Sequence, residues 1–259
     1  MAFLIKIFYS IFALTKIAFY LENPFVLLKF LFKKDGLFCL KNKMRFKIFQ
    51  LMDLIVIKDT IINDEYKINK LKNPKIIIDL GAGIGDFAIF CAKKFPQVKV
   101  FAFEPNKKVF LLLKENLSLN RLKNVRVKNL AIGLKKQYNF YLNRYHVQGS
   151  IIKKKDVTEK IKIRARKLSE YIRFPIDLVK IDCEGAEVEI LKSLTPKSFK
   201  KIKRFAIEYH NNLLVNSDKK IIAILIKNGF RYKQIKDRIN PGTGYIYGFT
   251  SPTLKAYTK

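Results

Sequence analysis

The sequence predicts an α/β fold, a mostly parallel sheet with helices on both faces. Three observations predict it. From Lys75 onward, short apolar runs alternate with segments of helical spacing. Runs such as KIIIDL (75–80) are apolar at nearly every position, as strands covered on both faces are. A glycine turn, GAGIG (81–85), joins that first run directly to a helix.

The elements follow in order. Residues 1–21, MAFLIKIFYSIFALTKIAFYL, are apolar except for Lys6, Ser10, Thr15 and Lys16. At about 100° per residue these four form no single polar stripe. The stretch is long enough to cross a bilayer. A mid-membrane Lys costs about 2.5–3.5 kcal/mol, although one near an end can snorkel. A signal peptide is disfavoured, because Glu22, Asn23 and Pro24 follow where a small-residue cleavage site belongs. PFVLLKFLFKK (24–34) reads as a second short helix with basic flanks. Two readings stand side by side: residues 1–34 pack on the domain, or they seat the protein on a membrane surface.

GLFCLKNKMRFKIF (36–49) predicts a hairpin around a Lys-Asn-Lys turn. Residues 50–72 read as helix and connector, so that 1–60 form an extension and 61–259 the domain. Within the domain, strands are expected over 75–80, 98–104, 124–130, 176–183 and 202–210. Helices are expected over 86–95, 106–120, 185–194 and 218–229, the last closed by Gly229. FRYKQIK (230–236) and GYIYGFT (244–250) have no helix between them and should be antiparallel neighbours around Pro241-Gly242. Residues 135–167 break the rhythm with short β-like runs and loops, an insertion placed to recognise a substrate.

Composition bounds the partners. The 259 residues are 49% hydrophobic and 28% charged, with 52 Lys+Arg against 21 Asp+Glu, a net charge of +31. Such a field draws polyanions. The lysines are spread along the whole chain, however, and a general compositional bias explains them without a nucleic-acid footprint. Cys39, Cys91 and Cys183 are too few and too scattered for a disulfide framework, and no CxxC pair suggests zinc. They fit a reducing cytoplasm, or the inner face of a membrane if the extension binds one. Cys91 and Cys183 read as small core residues rather than nucleophiles.

KIIIDLGAGIGDFA (75–88) carries the most chemistry. A buried strand ends in Asp79, passes through Gly81, Gly83 and Gly85, and opens a helix. Side-chain-free positions let a ligand lie against the backbone. The following helix offers unpaired N–H groups to a carboxylate or phosphate. A dinucleotide enzyme is the rival reading. Two details oppose it: the spacing is G-x-G-x-G, and Asp79 puts a charge where a pyrophosphate would sit. An ammonium or a sulfonium tolerates that charge. The next strand ends in Glu104, whose carboxylate can accept hydrogen bonds from both hydroxyls of a ribose.

DLGAGIGDFA, FEPN, NLAIG, DLVKIDCEGAEVEIL and AIEYH, in that order, resemble the FkbM family of S-adenosylmethionine-dependent methyltransferases. The resemblance runs from about Tyr66 to Gly248, and KIDCEGAE is its most family-like piece. It implies a Rossmann-like class I methyltransferase fold, a seven-stranded sheet with an antiparallel last strand. It also implies that Asp79 and the three glycines hold the methionine end of the cofactor and that Glu104 binds the ribose. Asn129 and Ala131 would lie by the adenine.

Methyl transfer requires a positioned acceptor and a base to take its proton. Asp182, Glu184 and Glu187 in IDCEGAE, and Glu208 and His210 in IEYH, fall at the carboxyl ends of the fourth and fifth strands. Glu184 and Glu187 also suit a first helical turn, where acids meet the helix dipole. Asp182 has no evident partner in its hydrophobic strand. Asp182, Glu208 and His210 can alternatively hold a divalent cation. His146 reads as structural or solvent-facing. Gln148 and Ser150 in HVQGSIIKKK (146–155) are candidate substrate contacts, and the lysine run there is a solvated loop. The expected activity is O-methylation of a hydroxyl on a sugar, glycan or small metabolite. The alternatives are an RNA methyltransferase, which the charge favours but no appended RNA-binding module supports, and a non-catalytic membrane-associated scaffold, which the intact glycine loop opposes. An Asn-Pro-Pro-Tyr run, the signature of amide-forming base modifiers, is absent.

Overall fold

A computed structural model describes residues 14–28, 36–143, 149–153, 157–237 and 240–250. β1 (Gly36–Cys39) and β2 (Arg45–Ile48) form the expected hairpin. α1 (Leu51–Ile57) runs on into a wide turn over Lys58–Ile62, closed by Asn63 N donating to Lys58 O at 3.0 Å. The domain then alternates: β3 (Ile76–Leu80), α2 (Asp86–Lys94), β4 (Lys99–Phe103), α3 (Lys107–Leu119) and β5 (Val125–Lys128). β6 (Ala131–Ile132), β7 (Gln137–Asn143) and β8 (Val157–Arg166) interrupt it. It resumes with β9 (Leu178–Ile181), α4 (Glu187–Lys192), α5 (Pro196–Phe199), β10 (Arg204–His210), α6 (Ser217–Lys227), β11 (Arg231–Lys236) and β12 (Thr243–Phe249).

The main sheet has the order β11-β12-β10-β9-β3-β4-β5. The pairs from β10 through β5 are parallel, and β12 runs antiparallel between β10 and β11. The expected seven-stranded sheet with an antiparallel last strand is therefore what forms. β9 is buried at every position and β3 at all but its first, which accounts for their unbroken apolar runs. The chain builds outward from β3 through β4 and β5 on one side, and through β9 and β10 on the other. The strand order reverses beside β3, and a crevice opens there at the carboxyl ends.

The hairpin is fixed to the domain by two asparagines of α3 and its C-cap. The Asn116 carboxamide accepts from Lys47 N at 2.7 Å and donates to Lys47 O at 3.1 Å. Asn120 treats Arg45 the same way, at 3.0 and 2.6 Å. Each amide satisfies the free backbone edge of β2 as a neighbouring strand would. Residues 14–20 are helical, and Ile17, Leu21, Phe38, Phe46 and Leu54 share one core with Ile77, Phe87 and Leu113. Among the described residues no helix is long and apolar enough to cross a membrane. Residues 1–13 and 29–35, which carry much of the membrane reading, lie outside the described residues.

The insertion is more ordered than its sequence pattern implies. β7 and β8 pair antiparallel and β6 joins β8, so its short runs form one three-stranded sheet. Ala131, Phe140, Leu142, Ile163 and Ala165 give it a small core of its own. The expected helix over 185–194 is shorter, Glu187–Lys192. Glu184 (φ +48°) and Gly185 (φ +97°) are left-handed and cannot belong to it. Glu184 thus sits in the turn before α4, not in its first turn.

Candidate functional site

A cavity opens at the carboxyl ends of β3, β4, β9 and β10. Its lining includes Gly81, Gly83 and Glu104 from beyond β3 and β4, and Asp182, Glu184 and Glu208 from the β9 and β10 side. The glycine turn is tied to β4, with Gly81 N and Ala82 N both donating to Phe103 O at 3.1 and 3.0 Å. Each glycine serves a different need. A Cβ on Gly81 (φ +73°) would fall 1.8 Å from Asp182 O, so bare backbone lets the ends of β3 and β9 meet. A Cβ on Gly83 (φ +52°) would meet nothing nearer than Asp86 Oδ1 at 4.0 Å, because the space beside it is the cavity. Gly85 caps α2 and gives room to Leu113; it does not line the cavity.

Glu104 is held at both oxygens. Asn106 N donates to Oε1 at 2.8 Å and Gly83 N to Oε2 at 3.0 Å. Burial pushes its carboxyl up to about 7 against the pull of those two N–H groups. Ala131 lines the cavity beside Leu130 and Ile132. Asn129 does not; its amide donates to Glu104 O and Pro105 O, both at 2.9 Å, and braces the loop that carries Glu104.

The centre of the site is a lysine that sequence reasoning passed over. Lys180 Nζ lies 3.3 Å from Asp79 Oδ1 and 3.6 Å from Asp182 Oδ2, and donates to Gly81 O at 2.8 Å. It also sits 5.3 Å over the Tyr66 ring and 5.9 Å over Phe87. Burial alone would lower its pKa, but Asp79, Asp182 and Asp86 outweigh that and hold the ammonium charged. Asp79 is fully buried behind it, and burial lifts its carboxyl to about 6 despite the Lys180 charge. Lys180, not Asp79, lines the cavity. The expectation that Asp182 lacks a partner is corrected, because Lys180 and Tyr66 both serve it. Tyr66 Oη donates to Asp182 Oδ2 at 3.1 Å and stands 3.4 Å from Glu208 Oε2.

Behind the acids lies a buried dyad. Glu187 Oε1 is 2.9 Å from His210 Nδ1 and accepts from Gly185 N at 2.9 Å. Burial alone would lower the His210 pKa, but Glu187 outweighs it and pushes it up to about 10. Glu208 rises well above the carboxylate range through burial and then through Asp182. Glu65, which accepts from Tyr245 Oη at 2.7 Å, rises to about 8 through burial and Asp59. Six carboxyl groups of this strongly basic chain, Asp53, Asp86, Glu104, Asp182, Glu184 and Glu208, line the cavity. Ser150 faces inward, its Oγ donating to Glu184 O at 2.6 Å, while its neighbours Gly149 and Ile151 line the cavity with Phe140 and Ile163 of the insertion. Gln148 and His146 lie outside the described residues.

Lys180 had a signal, a single charge within a buried run and two residues before an acid. Tyr66 and Glu65 had none, since their stretch reads as connector.

Comparisons with known proteins meet this geometry. A family model described as the methyltransferase FkbM domain matches residues 79–232. Methyltransferase sdnD of Sordaria araneosa is 27% identical over 190 residues, 59% of this chain and 73% of the relative. Methyltransferase 1 of Beauveria bassiana is 23% identical over 176 residues, 58% and 71% of the two chains. A solved FkbM methyltransferase from Methylobacillus flagellatus aligns over 94% of this chain and 60% of its own, with 14% identity and a TM-score of 0.46. The family match spans the glycine turn, Glu104 and the acidic strand ends; the chain belongs to the FkbM family of methyltransferases, on a class I Rossmann-like fold.

Proposed function

We propose that the chain transfers a methyl group from S-adenosylmethionine to a hydroxyl of a sugar, glycan or small metabolite. The observation that carries this reading is a single cavity with two unlike ends. At one end, Gly81 and Gly83 present bare backbone beside the Glu104 carboxylate. That end suits a nucleoside, with Glu104 accepting from the ribose hydroxyls and Ala131 against the base. At the other end stand Asp182, Glu184 and Glu208. Carboxylates at that end can hold an acceptor hydroxyl by hydrogen bonds and set it toward the methyl carbon. Asp79 acts there through Lys180.

In the reaction, an acceptor oxygen lone pair forms the new C–O bond as the S–C bond breaks, and the donor leaves as a neutral thioether. The acceptor proton passes to a carboxylate. Asp182 is the group placed for it, held by the Tyr66 hydroxyl that also stands beside Glu208. Residues 135–167 would then cover the acceptor end, with 61–259 as the catalytic domain and 1–60 as its extension.

The test is transfer of labelled methyl from S-adenosylmethionine to a panel of hydroxyl-bearing sugars, glycans and small metabolites, using the full chain. The expected product is an O-methyl ether. Asp182→Asn should lower kcat by about 10²–10⁴-fold with donor affinity retained. Label appearing on nitrogen or carbon, or no transfer to any acceptor by a protein that binds the donor, contradicts the O-methylation reading.

A further inference from the structure

Three carboxyl groups and a buried imidazole converge at the acceptor end of the cavity. Asp182, Glu184 and Glu208 line it, and Lys180 is the cation among the described residues that reaches Asp182. Asp182 and Glu208 each turn one oxygen toward Tyr66 Oη. The other Glu208 oxygen, Oε1, faces His210 Nε2 at 3.9 Å. One donor atom each from Asp182, Glu208 and His210 lies within 4.8 Å of the others.

His210 reaches this cluster from the buried side. It is 5% exposed, and its Nδ1 is bonded to Glu187, a fully buried carboxylate that is itself fixed by Gly185 N. Its Nε2 lies 3.9 Å from both Glu184 Oε2 and Glu208 Oε1, at ion-pair distance from each and longer than a hydrogen bond. A buried imidazole is thus aimed into a carboxylate cluster with its far nitrogen fixed by a carboxylate. That is how metal-ligating histidines are oriented. Two bonds of about 2.1–2.4 Å to a shared ion put their donor atoms up to about 4.2–4.8 Å apart, so the observed spacing admits one cation with little closure.

We propose that Asp182, Glu208 and His210 form the binding site for one divalent cation, with Glu187 as the residue that positions His210. Two carboxylates and one imidazole suit an ion that accepts oxygen and nitrogen donors alike, such as Mn²⁺, which would take the place of any proton on Nε2. Three protein ligands leave coordination positions free, and those positions face the cavity. On the methyl-transfer reading, they would take the acceptor hydroxyl and set it in line with the methyl carbon. The site itself does not depend on that reading.

The test is titration of the full chain with Mn²⁺, read by loss of the free-ion electron paramagnetic resonance signal. Wild type should bind one Mn²⁺ at micromolar strength. Asp182→Asn and His210→Ala should each weaken binding by at least about 10²-fold, and Glu187→Gln by about 10–100-fold. Asp182 is half-buried, so Asp182→Asn keeps the test open if the His210 variant fails to fold, and thermal melts identify that case. Wild type that binds no Mn²⁺ at millimolar concentration overturns the proposal. So does binding unchanged in Asp182→Asn. S-adenosylmethionine calorimetry in the presence of a chelator separates the outcomes. A donor that binds without any Mn²⁺ site sinks the cation alone, whereas a Mn²⁺ site in a protein that ignores the donor sinks the donor reading alone.

Discussion

Gly81→Ala will destabilise the protein by at least about 3 kcal/mol and remove donor binding at any concentration where the wild type is saturated. Two costs combine. Gly81 has φ +73°, a region that costs an L-residue about 1–2 kcal/mol. Its new Cβ would also lie 1.8 Å from Asp182 O and 3.3 Å from Cys183 Sγ. The first of these is a backbone atom, so no rotamer change relieves the clash. The ends of β3 and β9 must separate, and with them the Lys180 bond to Gly81 O. For a chain of this size the melting temperature should fall by roughly 6–12 °C. Gly83→Ala is the matching control. Its Cβ finds open space, so the melting temperature should fall only by the smaller backbone cost. The methyl group then occupies the cavity, and donor affinity should still drop. Equal melting temperatures for Gly81→Ala and wild type would show that the two strand ends do not meet as described.

Lys180→Met will be the second large effect. The ammonium is buried among Asp79, Asp182 and Gly81 O, and removing one partner of a buried pair costs about 3–5 kcal/mol because the remaining charge is stranded. Adding Asp79→Asn should recover much of that loss, since it removes the most deeply buried of the stranded charges. The pH dependence has a definite sign. Lys180 is held above its ordinary value, so its contribution is complete throughout the neutral range and is lost only in alkali. Asp79 is raised to about 6, so its ionisation costs stability as pH rises through that value. In the variant Asp79 escapes this cost by taking up a proton. The gap in melting temperature between Lys180→Met and wild type should therefore narrow from pH 8 to pH 5. A gap that widens on acidification, or a double variant no more stable than the single one, would mean that Lys180 does not neutralise Asp79.

The parts of the structure legible in the sequence are those whose requirements are local. β3, its turn and α2 follow from an apolar run, three glycines and helical spacing within fourteen adjacent residues. All three glycines are left-handed, which is what their type announces. Glu104 was legible for the same reason, as the acid ending the next buried strand. The site's inner wiring was not. Tyr66 meets Asp182 across 116 residues, and no periodicity marks a connector tyrosine as a ligand of two carboxylates. Lys180 stands out in DLVKID, but its main partner, Asp79, lies on a different strand and only the β3–β9 register joins them. Glu187 reads equally well as a helix-dipole acid, and the dyad with His210 appears only once β10 is placed beside β9. Asn116 and Asn120 look like ordinary helix residues until the hairpin docks on them.

Donor binding depends on a nucleoside end of the cavity governed by Glu104. The direct measurement is calorimetric titration of S-adenosylmethionine into wild type and Glu104→Gln at pH 6 and pH 8. Wild type should bind at about micromolar strength at pH 8. Because burial sets the Glu104 carboxyl at about 7, its affinity should be several-fold weaker at pH 6, where the carboxylate that accepts from the ribose is protonated. Lys180 and Asp79 also face Glu104, and the donor's own amino group titrates, but these act in both proteins. Glu104→Gln should lose about 1.5–3 kcal/mol of affinity at pH 8 and less at pH 6. Equal affinity of the two proteins at both pH values, or no binding to the wild type, would contradict the placement of the methyl donor in this cavity.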